Sequence, residues 1–535
     1  MLRLERIERH HRLDAPEPQS RPKRQSIPGL SAWESEMVRS EQARLWMLLA
    51  GVFVSRLPFR ARMPYGLDSI QFVLAVDHFD VRLHQPHPPG YFLFVLMGKV
   101  GNFVFQDPNL SYVALNIAFS VLAVWLTYWL SRELFGLEGA WLVALLMATS
   151  PLVWFHGEVA LSNMMDCFLV CLTALLCWRA GRGDLRAAAF AALALGLAGG
   201  VRQNTLLFLL PLWLWSLQRF GLRTRLMFAA VLGATCIGWY VPMAALSGGI
   251  RQYQTALRDH WLNSNWHGFT LAWLPFNFIT VTYFMLLGLG LSSVLLFIGA
   301  LLFLEKSRGH SIWREARLQF FVAWLAPPLA FFVFVYSHPI QTGHSLVYLP
   351  ALFALVPQAS ALVMGRASRA VLAGLALLNT LTFLFMNTPV SRPRIESYER
   401  RVTETINLVR SQCRPEETIL LNSDFMFLGF RDFMFHLPEF RSYQIKLYSL
   451  DGKSRMFAGA NRETLLVGAI PVAPGVKHFL MAADELEQSP AFHNRLTLGQ
   501  SIPGQFVTTA SGVRLFRGSI RDFARLFPEI PLNPS

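Results

Sequence analysis

The segment "YFLFVLMGKVGNFVFQ", residues 91–106, decides how this chain is threaded. It is apolar but short, and Lys99 stands near its middle. The chain around it has a mean hydropathy of +0.36 and only 15% charged residues, whereas soluble proteins have about 25%. Because roughly 20 apolar residues span a bilayer, and such runs recur from about residue 44 to residue 387, the sequence predicts a polytopic membrane protein.

Composition divides the chain into a basic cytoplasmic tail (1–43), a transmembrane domain (44–387) and an extracytoplasmic domain (388–535). The tail lacks an apolar stretch followed by a small-residue cleavage site, so we expect an uncleaved first span. In the last part, short apolar runs such as "ETILLNSD" and "VKHFLMAAD" alternate with helix-like pieces, which predicts a small α/β domain. The cysteines show no disulfide or zinc spacing. The basic residues form no stripe with interleaved aromatics, so nucleic acid is not an expected partner.

The remaining apolar runs give about eleven candidate spans. They are 44–59, 110–130, 138–156, 158–178, 186–201, 203–218, 224–247, 277–304, 317–337, 344–364 and 369–387. If 91–106 lies along the surface as an interfacial helix, thirteen Lys and Arg residues of the later loops fall on the side of the tail. The positive-inside rule then predicts a cytoplasmic N-terminus and an external C-terminal domain in the cytoplasmic membrane. If 91–106 crossed, those basic loops would face outward.

On this topology the first external loop is "GLDSIQFVLAVDHFDVRLHQPHPPGYF", residues 66–92. Four other external elements are expected to face it: 154–166, 201–204, 248–275 and 337–344. Polar residues of this apolar chain therefore collect on one face. Ionisable groups at membrane depth are costly and are candidates for function.

Three interpretations of the first loop stay open on its residues alone. Asp68, which begins a helical pattern, is a candidate general base for an acceptor hydroxyl or amine. Alternatively, His84 and His87 bind a divalent metal together with Asp80 or Asp77. In the third interpretation the loop is a satisfied polar network with no chemistry. For Asp68 alone, the alternative to a base is a carboxylate that caps its helix and interacts with the helix dipole.

The other external elements supply candidate substrate-binding residues. Arg202 can pair with a phosphate through its planar guanidinium, although an interfacial arginine is the alternative. Aromatic residues of 248–275, among them Trp261 and Trp266, suit either the bilayer interface or a sugar ring. The candidate substrate-binding residues are His84, His87, Glu158, Asp166, Arg202, Arg258, His338 and His344.

The order of four elements resembles the C-type glycosyltransferase superfamily, in particular its protein O-mannosyltransferase and aminoarabinose-transferase branch. The elements are "LDSIQF" with Asp68, "HPPGY" at 87–91, the helix 91–106 and "SRELFG" at 131–136. The resemblance covers about residues 44–210 and supports a surface position for 91–106. Many members have an acidic residue just before the His-Pro-Pro, where this chain has Gln85 and Pro86, which argues against a metal shared with that acid.

The resemblance implies an inverting transfer of a sugar from a polyprenyl-phosphate donor to an envelope acceptor outside the membrane. Asp68 would be the base, and a cation such as Arg202 or a metal would stabilise the departing lipid phosphate. Membrane lipids are the other expected partners. Two alternatives remain, a transporter or flippase for a polyprenyl-linked substrate, and an envelope sensor or assembly protein that uses residues 388–535.

Overall fold

The computed structural model describes residues 30–263, 271–307, 315–422, 427–446, 455–459, 465–466, 469–483, 504–526 and 532–534. Residues 49–535 form one compact unit. The first helix, α1, begins in the preceding 48 residues and ends within this unit.

Helices make up nearly all of the described chain before residue 387. They are α1 Leu30–Arg56, α2 Gly66–Asp77, α3 Phe92–Phe105, α4 Pro108–Phe135, α5 Leu137–Thr149, α6 Pro151–Glu158, α7 Asn163–Gly181, α8 Leu185–Val201, α9 Gln203–Ser216, α10 Leu222–Leu246, α11 Ile250–Asn263, α12 Leu274–Leu289, α13 Ser292–Lys306, α14 Ala316–Phe334, α15 Leu349–Met364 and α16 Ser368–Phe385. Every predicted span overlaps one or two of them.

The chain is a multi-pass membrane protein. By length and composition, six described helical segments can cross a membrane, and the bent pair α5–α6 makes a seventh. Helices α8, α9 and α13 coincide with predicted spans but have only 17, 14 and 15 residues. The total of eleven crossings stays a prediction.

Two predicted spans, 138–156 and 277–304, are each broken into two helices. At Ser150–Pro151 the chain bends by 55°, because proline has no N–H to continue the helix and Ser150 caps the next one by accepting from Val153 N. The second break follows Gly290, whose φ of +59° suits glycine. Ser150 Oγ donates to Gly288 O at 2.6 Å, so the two breaks are adjacent.

The surface position of segment 91–106 stays a prediction, and its helix α3 has 14 residues, fewer than the roughly 20 that span a bilayer. The side chain of Asn109, just after α3, donates to the carbonyl of Ala61, just before α2, at 3.2 Å. The two ends of the chain between Ala61 and Asn109 therefore lie next to each other. One face of α3 is buried, and the other exposes apolar residues, with Phe103 85% exposed.

Gly98 allows α3 to pack closely on α4, which gives a prediction for stability. A Cβ at Gly98 would lie 2.3 Å from the ring of Tyr112, whose hydroxyl donates to Phe72 O in α2. We expect Gly98→Ala to destabilise the protein by about 1–3 kcal/mol, because the buried ring must move. Thermal unfolding in detergent measures this effect.

Gly233 of α10 supplies the matched control, because a Cβ there meets nothing within 4 Å. Gly233→Ala is expected to be neutral or stabilising by up to about 1 kcal/mol, since alanine favours the helix. Equal unfolding temperatures for the two variants would contradict the close packing of α3 on α4.

The C-terminal region contains a mixed sheet, as predicted. Its strands are β1 Thr418–Asn422, β2 Arg441–Lys446, β3 Arg455–Gly459, β4 Leu465–Leu466, β5 Ile470–Val472, β6 His478–Ala482, β7 Gly504–Thr508, β8 Arg514–Ser519 and β9 Leu532–Pro534, with helices α17 Arg392–Gln412, α18 Phe430–His436 and α19 Ile520–Leu526. The main sheet has the order β4-β3-β2-β1-β6-β8-β7. β1 is buried along its whole length and pairs in parallel with β2 and β6, as expected for a strand covered on both faces.

Candidate active site

Asp68 lies in the first turn of α2 and makes no capping hydrogen bond, since the residue preceding the helix is Tyr65. Asp68 therefore does not cap the helix by a side-chain hydrogen bond, and a general base and a polar network without chemistry both stay open as interpretations. The side chain is 46% exposed, and its Oδ1 lies 3.8 Å from Nδ1 of His87. A half-exposed carboxylate beside a histidine is available to a substrate.

His87 is held in place by α2 and by its own segment, residues 78–91, which we call the proline arm. Gln71 Oε1, one helical turn after Asp68, accepts from both His87 N and His87 Nδ1. The other ring nitrogen, Nε2, lies 3.1 Å from the hydroxyl of Tyr91. These contacts fit a neutral imidazole that donates through Nδ1 and accepts through Nε2. Burial lowers the pKa of His87, and the nearby Arg202 and Arg431 oppose its protonation further.

The rest of the proline arm is fixed by α9 and α11. Its Pro89 carbonyl accepts from Gln203 Nε2 at 3.2 Å and from Tyr253 OH at 3.0 Å. The two donors also bond to each other at 3.0 Å. The proline arm is thus anchored at its end.

Arg202 stands between α8 and α9 in an extended conformation and is 8% exposed. Its guanidinium lies 5.5 Å over the ring of Tyr91, and its Nη1 lies 3.4 Å from Ser162 Oγ. Burial against an aromatic ring orients the planar group. It is a buried cation near His87 and Tyr91, as a phosphate-binding role requires.

Asp166 lies in the first turn of α7 within electrostatic range of Arg202. Its Oδ2 accepts from Thr205 Oγ1 at 3.0 Å, and its Oδ1 is buried with no hydrogen-bond partner among the described residues. An unpaired buried carboxylate oxygen is costly. Asp166 is therefore suited to bind a donor group of a ligand.

Glu158 belongs to a different cluster. It ends α6 rather than beginning the next span, and its Oε1 accepts from Trp154 Nε1 at 2.5 Å. Its charged neighbours are Arg56, which is fully buried, and Arg392. A buried carboxylate needs a compensating cation, and Arg56 is the buried charged neighbour of Glu158, whose Oε2 has no hydrogen-bond partner among the described residues.

The segment 337–344 closes the site from the opposite side. The His344 ring stacks on Phe332 with centroids 5.7 Å apart. Burial lowers the pKa of His344 well below its usual value, and Arg202 is its strongest charged neighbour. Tyr336, whose hydroxyl donates to Gln341 at 3.0 Å, lies in electrostatic range of Asp68 and Arg202, and burial raises its pKa to about 12. His338 Nδ1 accepts from Ile340 N, and His338 is within electrostatic range of His344.

Arg258 does not reach the site, because it lies on the exposed face of α11. The residue of α11 that does reach the site is His260, whose ring is 5.6 Å from that of His84 and 6.0 Å from that of His87. Burial lowers the pKa of His260 to about 4. Trp266 lies outside the described residues.

The metal alternative finds no support. Asp80 accepts from both the backbone and the guanidinium of Arg82, so its carboxylate is already used. Asp77 is exposed at the far end of α2, where it lines a surface cavity of about 340 Å³. Within the described ranges, no group of three or more His, Cys, Asp or Glu residues is arranged to hold a metal ion.

Residues that the sequence did not single out complete the site. They are Gln71, Tyr91, Ser162, Thr205, Tyr336 and Arg431. Helical spacing of three residues from Asp68 marked Gln71 as a neighbour on the same face. The other contacts join distant parts of the chain and had no local signal.

Solved structures share this architecture. The structure of ArnT from Cupriavidus metallidurans bound to undecaprenyl phosphate has a TM-score of 0.52 and 12% identity, with 89% of this chain and 97% of that chain covered. The same ArnT in the apo state gives 0.49 and 12%, with coverages of 94% and 100%. An Archaeoglobus fulgidus oligosaccharyltransferase tethered with an acceptor peptide gives 0.44 and 12%, with coverages of 91% and 75%.

No family model matches the sequence, and no curated protein matches it. The structure bound to undecaprenyl phosphate matches almost the whole of both chains. The predicted fold class, a helical C-type glycosyltransferase fold with a small C-terminal α/β region, is therefore confirmed.

Proposed function

We propose that this protein is an inverting glycosyltransferase that takes a sugar from a polyprenyl-phosphate donor and transfers it to an envelope acceptor on the outer face of the cytoplasmic membrane. The observation that carries the proposal is the pairing of an accessible carboxylate with a buried cation in one site. Asp68 is half-exposed beside His87, and Arg202 lies behind the same histidine and Tyr91. The shared fold is consistent with this chemistry.

The reaction needs a base and a stabilised leaving group. Asp68 takes the proton of the acceptor O–H or N–H, and the acceptor atom attacks the anomeric carbon from the face opposite the phosphate. The bond between that carbon and the phosphate oxygen breaks, and its electron pair stays on the polyprenyl phosphate. Arg202 stabilises the charge that develops there. Attack from the opposite face inverts the anomeric configuration.

The polar residues near Asp68 and Arg202 suit a sugar held between these two side chains. The unpaired Asp166 Oδ1 can accept from a sugar hydroxyl, and Tyr336 lies within electrostatic range of Asp68, Tyr91 and Arg202. The proline arm brings His87 to the site in its neutral form, with Nδ1 donating to Gln71 and Nε2 accepting from Tyr91 OH.

A reconstituted assay tests the proposal. The full-length protein in lipid nanodiscs is incubated with polyprenyl-phosphate hexoses and pentoses and an envelope extract, and free polyprenyl phosphate is measured by mass spectrometry. We expect one donor to be consumed with matching addition to an acceptor. In proteoliposomes, movement of the donor across the bilayer without release of polyprenyl phosphate would instead support a flippase.

A further inference from the structure

Helix α18 of the C-terminal region packs against α2, the helix that carries Asp68. Its Arg431 is 3% exposed, and its Nη2 donates to the carbonyl of Leu83 in the proline arm at 3.1 Å. Asp432 accepts from Gly429 N and so fixes the start of α18. A buried arginine that bonds a loop carbonyl is a specific tie between distant parts of the chain.

Helix α17 holds the other end of the same loop. Glu399 accepts from the backbone N–H groups of Arg62 and Met63, just before α2. The ring of Tyr398 lies 4.6 Å from that of Tyr65. The C-terminal region therefore contacts the chain on both sides of Asp68, at residues 62–65 and at Leu83.

We infer that Arg431 is a positioning residue of the active site, which holds the proline arm so that His87 stays in place beside Asp68. The inference rests on the proposed function. It makes residues 388–535 part of the enzyme rather than a separate binding module, because the arm is held from this side by α18 and from the other by Gln203 and Tyr253.

Arg431 also acts on His87 through its charge. Arg202 and Arg431 both oppose protonation of His87, whereas Asp68 favours it. Loss of Arg431 should therefore raise the pKa of His87. A protonated ring could no longer accept from Tyr91 OH, so activity should be lost at a higher pH on acidification. The titratable and charged groups that face His87 are Asp68 of α2, Tyr91 of the arm, Arg202 between α8 and α9, His260 of α11, His344 before α15 and Arg431 of α18.

Full-length Arg431→Met, Arg431→Lys and Arg525→Met variants test the inference in nanodiscs. Arg525 is the matched control, because its side chain is 77% exposed in α19 of the same region. We expect Arg431→Met to lower kcat about 10- to 100-fold with little change in donor KM, since misplaced groups lose rate. In the pH profile of activity, the acidic limb of Arg431→Met should lie at a higher pH than that of the wild type. Arg431→Lys keeps the charge, so its pH profile should match that of the wild type while kcat is partly restored.

Hydrogen exchange of residues 78–91 provides a readout that does not depend on transfer. Arg431→Met should exchange faster in this segment than Arg525→Met, even if the wild type transfers no sugar. Absence of transfer by the wild type would overturn the proposed function alone. Arg431→Met and Arg525→Met variants with the same exchange, kcat and pH profile would overturn the positioning role. If Arg431→Met does not fold, an unchanged kcat and arm exchange in Arg431→Lys would overturn it.

Discussion

Asp68→Asn is expected to lower the rate of sugar transfer by about 10²- to 10⁴-fold, the contribution of a positioned general base. Asparagine has nearly the same shape but cannot take a proton from the acceptor. Asp68 makes no capping bond, and its closest ionisable neighbour is the neutral His87 at 3.8 Å. The variant should therefore insert and fold normally. Single-turnover transfer from the lipid donor is the measurement.

Asp77→Asn is the matched control, because Asp77 ends the same helix and points to the surface. We expect it to keep wild-type activity. Since both changes remove one negative charge from α2, only the position relative to the site differs. Equal rates in the two variants would show that Asp68 is not the base.

Arg202→Gln is expected to reduce transfer by about 10²- to 10³-fold and to weaken the binding of polyprenyl phosphate. The guanidinium is buried over Tyr91 and close to Ser162, so water cannot easily replace it. Because the donor already carries a phosphate before the reaction, donor KM should rise as kcat falls. Arg202→Lys should recover part of both, since lysine supplies a point charge but no planar fork.

Arg258→Gln is the control for this prediction. The sequence placed Arg258 among the substrate-binding candidates, but the structure leaves it exposed on α11. Titration with polyprenyl phosphate should give wild-type affinity for Arg258→Gln. Wild-type affinity for Arg202→Gln as well would remove the phosphate-binding role.

Local patterns predicted most of the elements correctly. Each apolar run that was predicted to be a span contains one or two helices of the structure. Short apolar runs bounded by turn residues coincide with β1, β2 and β6. The predicted spans 138–156 and 277–304 each contain a break between two helices that hydropathy does not show. Pro151 and Gly290 are visible in the sequence, but both residues also occur inside unbroken apolar helices. In α9, for example, Pro211 does not end the helix.

The candidate site was predicted in outline and corrected in detail. The sequence brought Asp68, His87, Asp166, Arg202 and His344 to one face, and the structure has them in one neighbourhood. Glu158 was an error of a different kind. Glu158 is close to Asp166 in the sequence, but its charged neighbour in the structure is Arg56. No periodicity of the sequence relates Glu158 to Arg56.

The surface position of 91–106 is a prediction from the sequence. By itself, the sequence determined the membrane class and which ionisable groups are candidates for the site, because hydropathy and charge can be read from short stretches of chain. Only the tertiary structure decided which of those groups meet. It gave Glu158 and Asp166 different charged neighbours. It placed His260, not Arg258, beside His87, and it added Arg431 from a region far along the chain. Such contacts depend on how helices pack, and the energy that favours them is not encoded in any single segment.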